Sequence, residues 1–200
     1  MLPDERATLD PHLTAAELAN LSLHRNAGVR RAVAAHPNTP AAILGTLAAG
    51  FPAEVLGNPA LPLLRLAQPD MVGRWPVPSL LALLQLGDAP GWLLAALRRH
   101  PSVEVQVALA RHPRLGAETV ETLAAHTAWL VRARIAARPD LPPALLRRLL
   151  HDPDDSVRLA VASRTDLGPT ERGALGGDPS RFVRQVLRQC QGRTGAAVDS

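Results

Sequence analysis

Hydrophobic residues recur along the chain at two alternating spacings. In one set of segments two apolar residues stand four positions apart, and in the segment after each they stand three apart. Either spacing places both side chains on one face of an α-helix. The pairs four apart are Val105/Leu109, Val131/Ile135, Val157/Val161 and Val183/Leu187. The pairs three apart are Leu18/Leu21, Leu44/Leu47, Leu94/Leu97, Val120/Leu123 and Leu146/Leu149. The pattern predicts pairs of short helices, each with one face to bury.

These helix pairs belong to a repeat of about 26 residues. The segment VRRAVAAHPNTPAAILGTL at residues 29–47 returns as VRARIAARPDLPPALLRRL at residues 131–149, with nine of nineteen positions identical. We predict a single domain over 13–190, after an irregular N-terminal lead over 1–12 and before a disordered tail over 191–200. Its blocks are 13–24 (partial), 25–50, 51–74, 75–100, 101–126, 127–152, 153–178 and 179–190 (partial).

Most of the 19 prolines fall in phase with this repeat and mark helix boundaries. Proline lacks an N–H and clashes with the preceding helical turn, but it is tolerated in the first turn of a helix. Prolines at the end of the first helix are Pro37, Pro59, Pro113 and Pro139, and those at the start of the second are Pro40, Pro62, Pro90, Pro142 and Pro169. Helices this short do not persist alone in water, so we expect the blocks to stack into an all-α solenoid.

Alanine follows the first apolar pair in several blocks. The positions are Ala34, Ala110, Ala136 and Ala162. A side chain this small lets a neighbouring helix approach closely, which fits helices that stack block on block.

The repeating unit V-R-x-A-V-A-x-H-P-x-x-P-x-x-I-L-x-x-L, with the joints Asp152-Pro153 and Asp178-Pro179, resembles the leucine-rich repeat variant family. The resemblance covers residues 13–190 and is weaker over 51–88. It implies a right-handed superhelix of short helices, alternately α and 3₁₀, without β-strands. The family has no single biochemical activity, and similar helical repeats of the HEAT type serve mainly as binding scaffolds. Some relatives carry a cysteine cluster ahead of the repeats; this chain lacks one, so no metal role carries over.

Composition narrows the function classes. No apolar run reaches the roughly 18 residues that a membrane span requires, and MLPDERATLDPH lacks the basic-then-apolar order of a signal peptide. We therefore expect a soluble cytoplasmic protein with no membrane partner. Cys190 is the single cysteine, which excludes an intrachain disulfide and a cysteine-bound metal cluster. No cofactor is predicted.

The positive charge is concentrated in the second half of the chain. All 22 basic residues are arginine, and residues 127–193 hold twelve of them against seven acids. One set of arginines, here called the arginine row, follows a valine at the same position of four blocks: Arg30, Arg132, Arg158 and Arg184, with Gln106 and Leu80 breaking the series. Such a row can bind carboxylates or phosphates of a partner. Alternatively, each arginine ties adjacent blocks together through a joint acid such as Asp152, Asp154, Asp155 or Asp178.

Two histidines occupy the position before the proline that ends the first helix. His36 and His112 stand where later blocks have Arg138 and Arg164. A cation at a helix C-terminus interacts favourably with the unpaired carbonyls, so we predict a capping role for all four. A shared metal site is excluded because the two histidines lie three blocks apart.

The sequence contains no recognisable catalytic motif, so we predict a non-enzymatic scaffold that binds another protein through an extended surface. The alternative is binding of a nucleic-acid backbone by the arginine-rich half. Trp75, Trp92 and Trp129 hold three different block positions, so no stacking row supports that alternative. The candidate binding residues are the arginine row together with Arg134, Arg181 and Arg188.

Overall fold

A computed structural model describes residues 10–195, with side chains over 10–190. This part of the chain contains fourteen α-helices, one 3₁₀ helix and no strand. The first eight α-helices are α1 (Ala15–Ser22), α2 (Ala27–Ala35), α3 (Ala41–Leu47), α4 (Pro52–Leu56), α5 (Leu61–Ala67), α6 (Val77–Leu84), α7 (Gly91–Leu97) and α8 (Val103–Arg111), with the 3₁₀ helix at Val72–Arg74. The remainder are α9 (Ala117–Ala124), α10 (Trp129–Ala136), α11 (Pro143–Leu150), α12 (Asp155–Ala162), α13 (Pro169–Gly176) and α14 (Arg181–Gly195).

The chain divides into two compact units, Met1–Arg114 and Leu115–Ser200. In the N-terminal unit the first helices of successive blocks pack in order, α2 on α4, α4 on α6 and α6 on α8. In the C-terminal unit α10 packs on α12 and α12 on α14, while the second helices α9, α11 and α13 pack in the same order. Packing between sequential neighbours is consistent with the predicted helical solenoid. The single domain over 13–190 stays a prediction.

The predicted apolar pairs four positions apart belong to the core of each unit. Val105, Leu109, Val131, Ile135, Val157, Val161, Val183 and Leu187 are all buried. The alanines that follow, Ala34, Ala110, Ala136 and Ala162, have no exposed surface, because the neighbouring helix lies against them. Pro40, Pro90 and Pro142 are the N-cap residues of α3, α7 and α11, which confirms proline as the start signal of the second helix.

The irregular stretch within 51–88 contains a compensating contact. α4 has five residues, and a 3₁₀ helix at Val72–Arg74 ends at the buried Trp75. The Trp75 indole lies against Gly45 of α3, where an added Cβ would stand 2.5 Å from indole Cδ1. The indole ring therefore occupies the space that a side chain at position 45 would need. Over the described residues the second helices are α-helical, so the implied regular alternation with 3₁₀ helices is wrong.

The structure describes part of the predicted C-terminal tail and little of the predicted N-terminal lead. α14 continues to Gly195, five residues into the predicted tail. The rest of that segment, and residues 1–9 of the predicted lead, lie outside the described residues. No described helix has the length and apolarity needed to cross a bilayer.

Candidate functional site

Arg132 is built into the joint between two repeats. Its Nε and Nη2 donate to the two carboxylate oxygens of Asp152, at 2.7 and 2.8 Å. Its Nη1 donates to the carbonyls of His126 and Thr127 at 2.8 and 2.9 Å, just before α10. The guanidinium thus pairs bidentately with an acid 20 residues later and also satisfies two backbone carbonyls.

Arg158 repeats this arrangement one block later. Its Nε and Nη2 donate to the Asp178 carboxylate at 2.8 and 3.2 Å, and its Nη1 donates to the Asp152 carbonyl at 2.7 Å. Asp152 therefore contacts both Arg132 and Arg158. The side chains of the two arginines are 13% and 12% exposed, which leaves little guanidinium surface for a partner. These contacts match the second interpretation of the arginine row, in which the arginines join adjacent repeats through joint acids.

The two joint carboxylates are held ionised. Burial alone raises the pKa of Asp152, but hydrogen bonds from Arg132 and the Asp154 N–H outweigh it, so the pKa is lowered. The pKa of Asp178 is lowered against the same opposing effect of burial, by Arg158 and the Ser180 N–H. Hydrogen bonds to the partner aspartates raise the pKa of Arg132 and Arg158.

The other members of the arginine row have the backbone contacts without the acid. Arg30 Nη1 donates to the carbonyls of His24 and Arg25, at 2.6 and 3.0 Å. Arg184 Nη1 donates to the carbonyls of Asp178 and Pro179. Among the residues that the structure describes, no carboxylate pairs with either guanidinium. We call Arg132 and Arg158 closed, because each is paired with a carboxylate, and we call Arg30 and Arg184 open.

One position, here called the joint residue, lies three residues before the first residue of a first helix. His24, His100 and His126 occupy it, as do Asp152 and Asp178, and in all five the side chain accepts the N–H of the residue two positions on. Gly50 holds the same block position with no side chain to offer. The backbone contact is therefore the same in five joints, whether the side chain is histidine or aspartate.

A second position, here called the helix-end residue, reaches back to the preceding repeat. His36 Nε2 lies 2.9 Å from the Asp10 carbonyl, and His112 Nε2 lies 3.0 Å from the Leu86 carbonyl. Each acceptor precedes its histidine by 26 residues. In both rings Nδ1 accepts the N–H of the residue two positions on, so Nε2 must carry the proton that is donated.

Asn58 and Arg164 make the same backward contact with other chemistry. Asn58 Nδ2 donates to the carbonyls of Ala34 and His36, at 2.8 and 2.9 Å, and Arg164 Nη1 donates to those of Ala136 and Arg138. His36 and His112 are the C-cap residues of α2 and α8, and their rings bond to carbonyls of the previous repeat. The polar residue that recurs before the proline could have indicated this backward contact from the sequence.

The remaining candidate arginines lie at the surface and on different helices. Arg134 is exposed on α10, Arg188 is exposed on α14, and Arg181 lies over the Phe182 ring at 4.8 Å from its centroid. Arg147 and Arg148, also exposed, belong to the second helix α11. The exposed positive charge of the C-terminal unit is spread over both its helix layers.

Grooves between successive first helices were not predicted. In the N-terminal unit a groove of about 470 Å³ lies between α6 and α8, with Leu81, Val107 and Ala108 along it and Gln85, Glu104 and Arg111 among its polar residues. In the C-terminal unit a groove of about 550 Å³ is lined by Ser163, Val186, Gln189 and Cys190. These four hold the same block positions as Gln85, Ala108, Arg111 and His112 of the first groove. The opening therefore recurs at equivalent block positions once in each unit.

The comparison with protein families agrees with this architecture. The family described as leucine rich repeat variant matches residues 27–49 and 129–154. These two segments are leucine rich repeat variant repeats, one in each unit. Searches of curated proteins and of solved structures gave no match.

Proposed function

We propose that this helical repeat scaffold is non-enzymatic and binds another protein through the surface of its first helices. The observation that carries the proposal is the groove between successive first helices, which recurs at equivalent block positions in both units. Apolar side chains line it beside charged ones such as Glu104 and Arg111. A mixed surface of this kind suits a protein segment, since protein interfaces combine an apolar centre with a polar rim.

The alternative, binding of a nucleic-acid backbone, rests on the arginine-rich half. Four arginines there form ion pairs with aspartates, Arg132 with Asp152, Arg138 with Asp140, Arg158 with Asp178 and Arg164 with Asp166. Their charge is neutralised locally, so it contributes little to counterion release. The exposed Arg134, Arg181 and Arg188 remain as candidate phosphate contacts.

Site-specific photo-crosslinking tests the first proposal. A benzophenone amino acid at Val107, in the groove, should capture a defined protein in a cell extract. The same group at Glu121, exposed on the second helix α9, is the matched control and should not. Equal capture from both positions would contradict a role for the groove.

Fluorescence anisotropy separates the two functions. A nucleic-acid binder should bind labelled single-stranded or duplex DNA at about 50 mM salt and lose at least tenfold in affinity by about 200 mM. We expect no binding at either concentration. Salt-dependent binding that falls further in an Arg134→Ala, Arg181→Ala, Arg188→Ala variant would support the alternative instead.

A further inference from the structure

The N-terminal unit contains an arginine whose acid partner is missing from the repeat. In the C-terminal unit the residue 20 positions after the row arginine is Asp152 for Arg132 and Asp178 for Arg158. The residue 20 positions after Arg30 is Gly50. The block thus retains the arginine and omits the carboxylate that closes the same joint elsewhere.

The local backbone at Gly50 matches that of the two aspartates. The N–H of Gly50 donates to the Leu47 carbonyl at 3.0 Å, as the N–H groups of Asp152 and Asp178 donate to the carbonyl three residues earlier at 3.2 and 3.1 Å. Apart from its two chain neighbours, no residue has an atom within 4 Å of a Cβ added at Gly50. The first side-chain atom that an aspartate carries in the C-terminal unit could therefore be added here without contact to another part of the fold.

Arg30 itself is anchored as the closed arginines are. Its Nη1 is committed to the carbonyls of His24 and Arg25, so the guanidinium is already oriented, and Nε and Nη2 form the edge that binds the acid in Arg132 and Arg158. The Phe51 ring lies 5.8 Å from the Arg30 guanidinium carbon and supports it from one side. The Glu54 carboxylate on α4 pairs with the neighbouring Arg31 at 3.0 Å.

We propose that Arg30, with the open space at Gly50, is a carboxylate-binding site that receives an aspartate or glutamate side chain of a protein partner. This proposal rests on the proposed protein-binding function and names the group that the partner supplies. Two internal precedents carry it, since the same guanidinium in the same backbone setting binds Asp152 and Asp178 bidentately. An oriented guanidinium loses little conformational freedom when it accepts such a ligand.

The first test fills the site from within. Gly50→Asp should raise Tm by roughly 2–4 °C, because the introduced carboxylate can reach Arg30. Gly50→Asn, a neutral side chain of the same size, should not raise Tm, and Gly50→Asp should lose its effect when combined with Arg30→Gln. Equal shifts for the aspartate and asparagine variants would overturn the proposal.

The second test offers the carboxylate from outside. The probe is the capped peptide Leu-Gly-Gly-Asp-Pro-Ser, which copies residues 175–180 and carries the acid that closes the Arg158 joint. At low salt it should shift the Arg30 Nε–Hε NMR signal saturably, with a dissociation constant on the order of 1 mM. The signal is assigned by its loss in Arg30→Gln. The peptide with asparagine in place of the aspartate is the matched control and should leave the signal unmoved.

Two further comparisons fix the site and the source of the ligand. Gly50→Asp should abolish the response of the Arg30 signal while leaving any response of Arg184 unchanged. Acetate at the same concentration should give a smaller shift, and an equal shift would overturn the assignment to a protein segment in favour of small carboxylates. No response of Arg30 to peptide or acetate would overturn the site itself, while the crosslinking at Val107 would still decide the scaffold function.

Discussion

The two units use different side chains to hydrogen-bond the backbone carbonyls left unpaired at the ends of their short helices. In the C-terminal unit, paired charges do this work, with Arg132 and Asp152 as the clearest case. In the N-terminal unit Arg30 has no carboxylate partner among the described residues, and at the equivalent position the neutral Gln106 amide donates to the Leu97 and His100 carbonyls. The backbone problem is the same in both, because every short helix leaves carbonyls without intrahelical partners. The four ion pairs take up four of the twelve arginines at 127–193, so a count of arginines overstates the charge that is free to bind a partner.

The largest expected effect tests the ion pair against its neutral counterpart. Arg132→Gln should lower the free energy of unfolding by about 2–4 kcal/mol, because it leaves the buried Asp152 carboxylate without its partner. Arg30→Gln should cost less than about 1 kcal/mol, since Gln106 shows that glutamine can serve the carbonyls at this position. Equilibrium urea unfolding measures both, and equal losses would contradict the division of the row into closed and open members.

Acid should weaken the charged joints. The pKa values of Asp152 and Asp178 are lower in the folded chain than the ordinary value, so the unfolded state takes up more protons as the pH falls. Their contribution to stability is fully present above about pH 4 and is lost as the pH falls through the folded pKa values. Urea unfolding between about pH 6 and pH 2.5 measures the slope.

The matched control for this acid effect is the double variant Asp152→Asn, Asp178→Asn. It should be less stable at neutral pH and should show a flatter pH dependence. An unchanged slope in the double variant would place the acid sensitivity on other groups.

Gly45 and Arg147 occupy the same block position, but substitution by alanine should change the stability of the protein to different extents at the two positions. Gly45→Ala should cost about 1–2 kcal/mol, because its Cβ would clash with the buried Trp75 ring. Arg147→Ala should change stability by less than about 0.5 kcal/mol, because that side chain is exposed. Thermal unfolding of both variants measures this difference, and a neutral Gly45→Ala would show that the indole can move aside.

The smallest effect is expected at an exposed ion pair. Asp140, whose side chain is 55% exposed, pairs with Arg138 at 2.8 Å. Asp140→Asn should cost less than about 1 kcal/mol, because water can replace the carboxylate there. Asp152→Asn, at a joint where the acid is 6% exposed, should cost clearly more in the same urea titration. Similar losses would mean that burial does not decide the value of these pairs.

The helix pairs and their core could be predicted from the sequence because they depend on local spacing. Val131 and Ile135 lie on one helical face whatever the tertiary context, and Pro142 marks a helix start by its missing N–H. The Trp75–Gly45 contact could not be predicted, because it joins residues 30 positions apart on either side of the shortened block 51–74. Propensity also did not indicate that α14 runs on through Gly192 to Gly195.

The candidate site was predicted only in part, because periodicity identifies equivalent positions but not the direction of a side chain. It singled out Arg132 and Arg158 and offered Asp152 and Asp178 as partners, which the structure pairs. It could not show that Gly50 leaves an open space, since a glycine in a joint reads as an ordinary turn residue. The grooves were missed because residues such as Val107 and Val186 look like core residues until their surroundings are known.

The backward hydrogen bonds of the helix-end residues give the chain a preferred order of assembly. His36, Asn58, His112 and Arg164 each donate to a carbonyl of an earlier residue, between 22 and 28 positions before them. During synthesis the acceptor always leaves the ribosome before its donor. Each new repeat can therefore dock on a finished neighbour as it emerges, without waiting for any later part of the polypeptide.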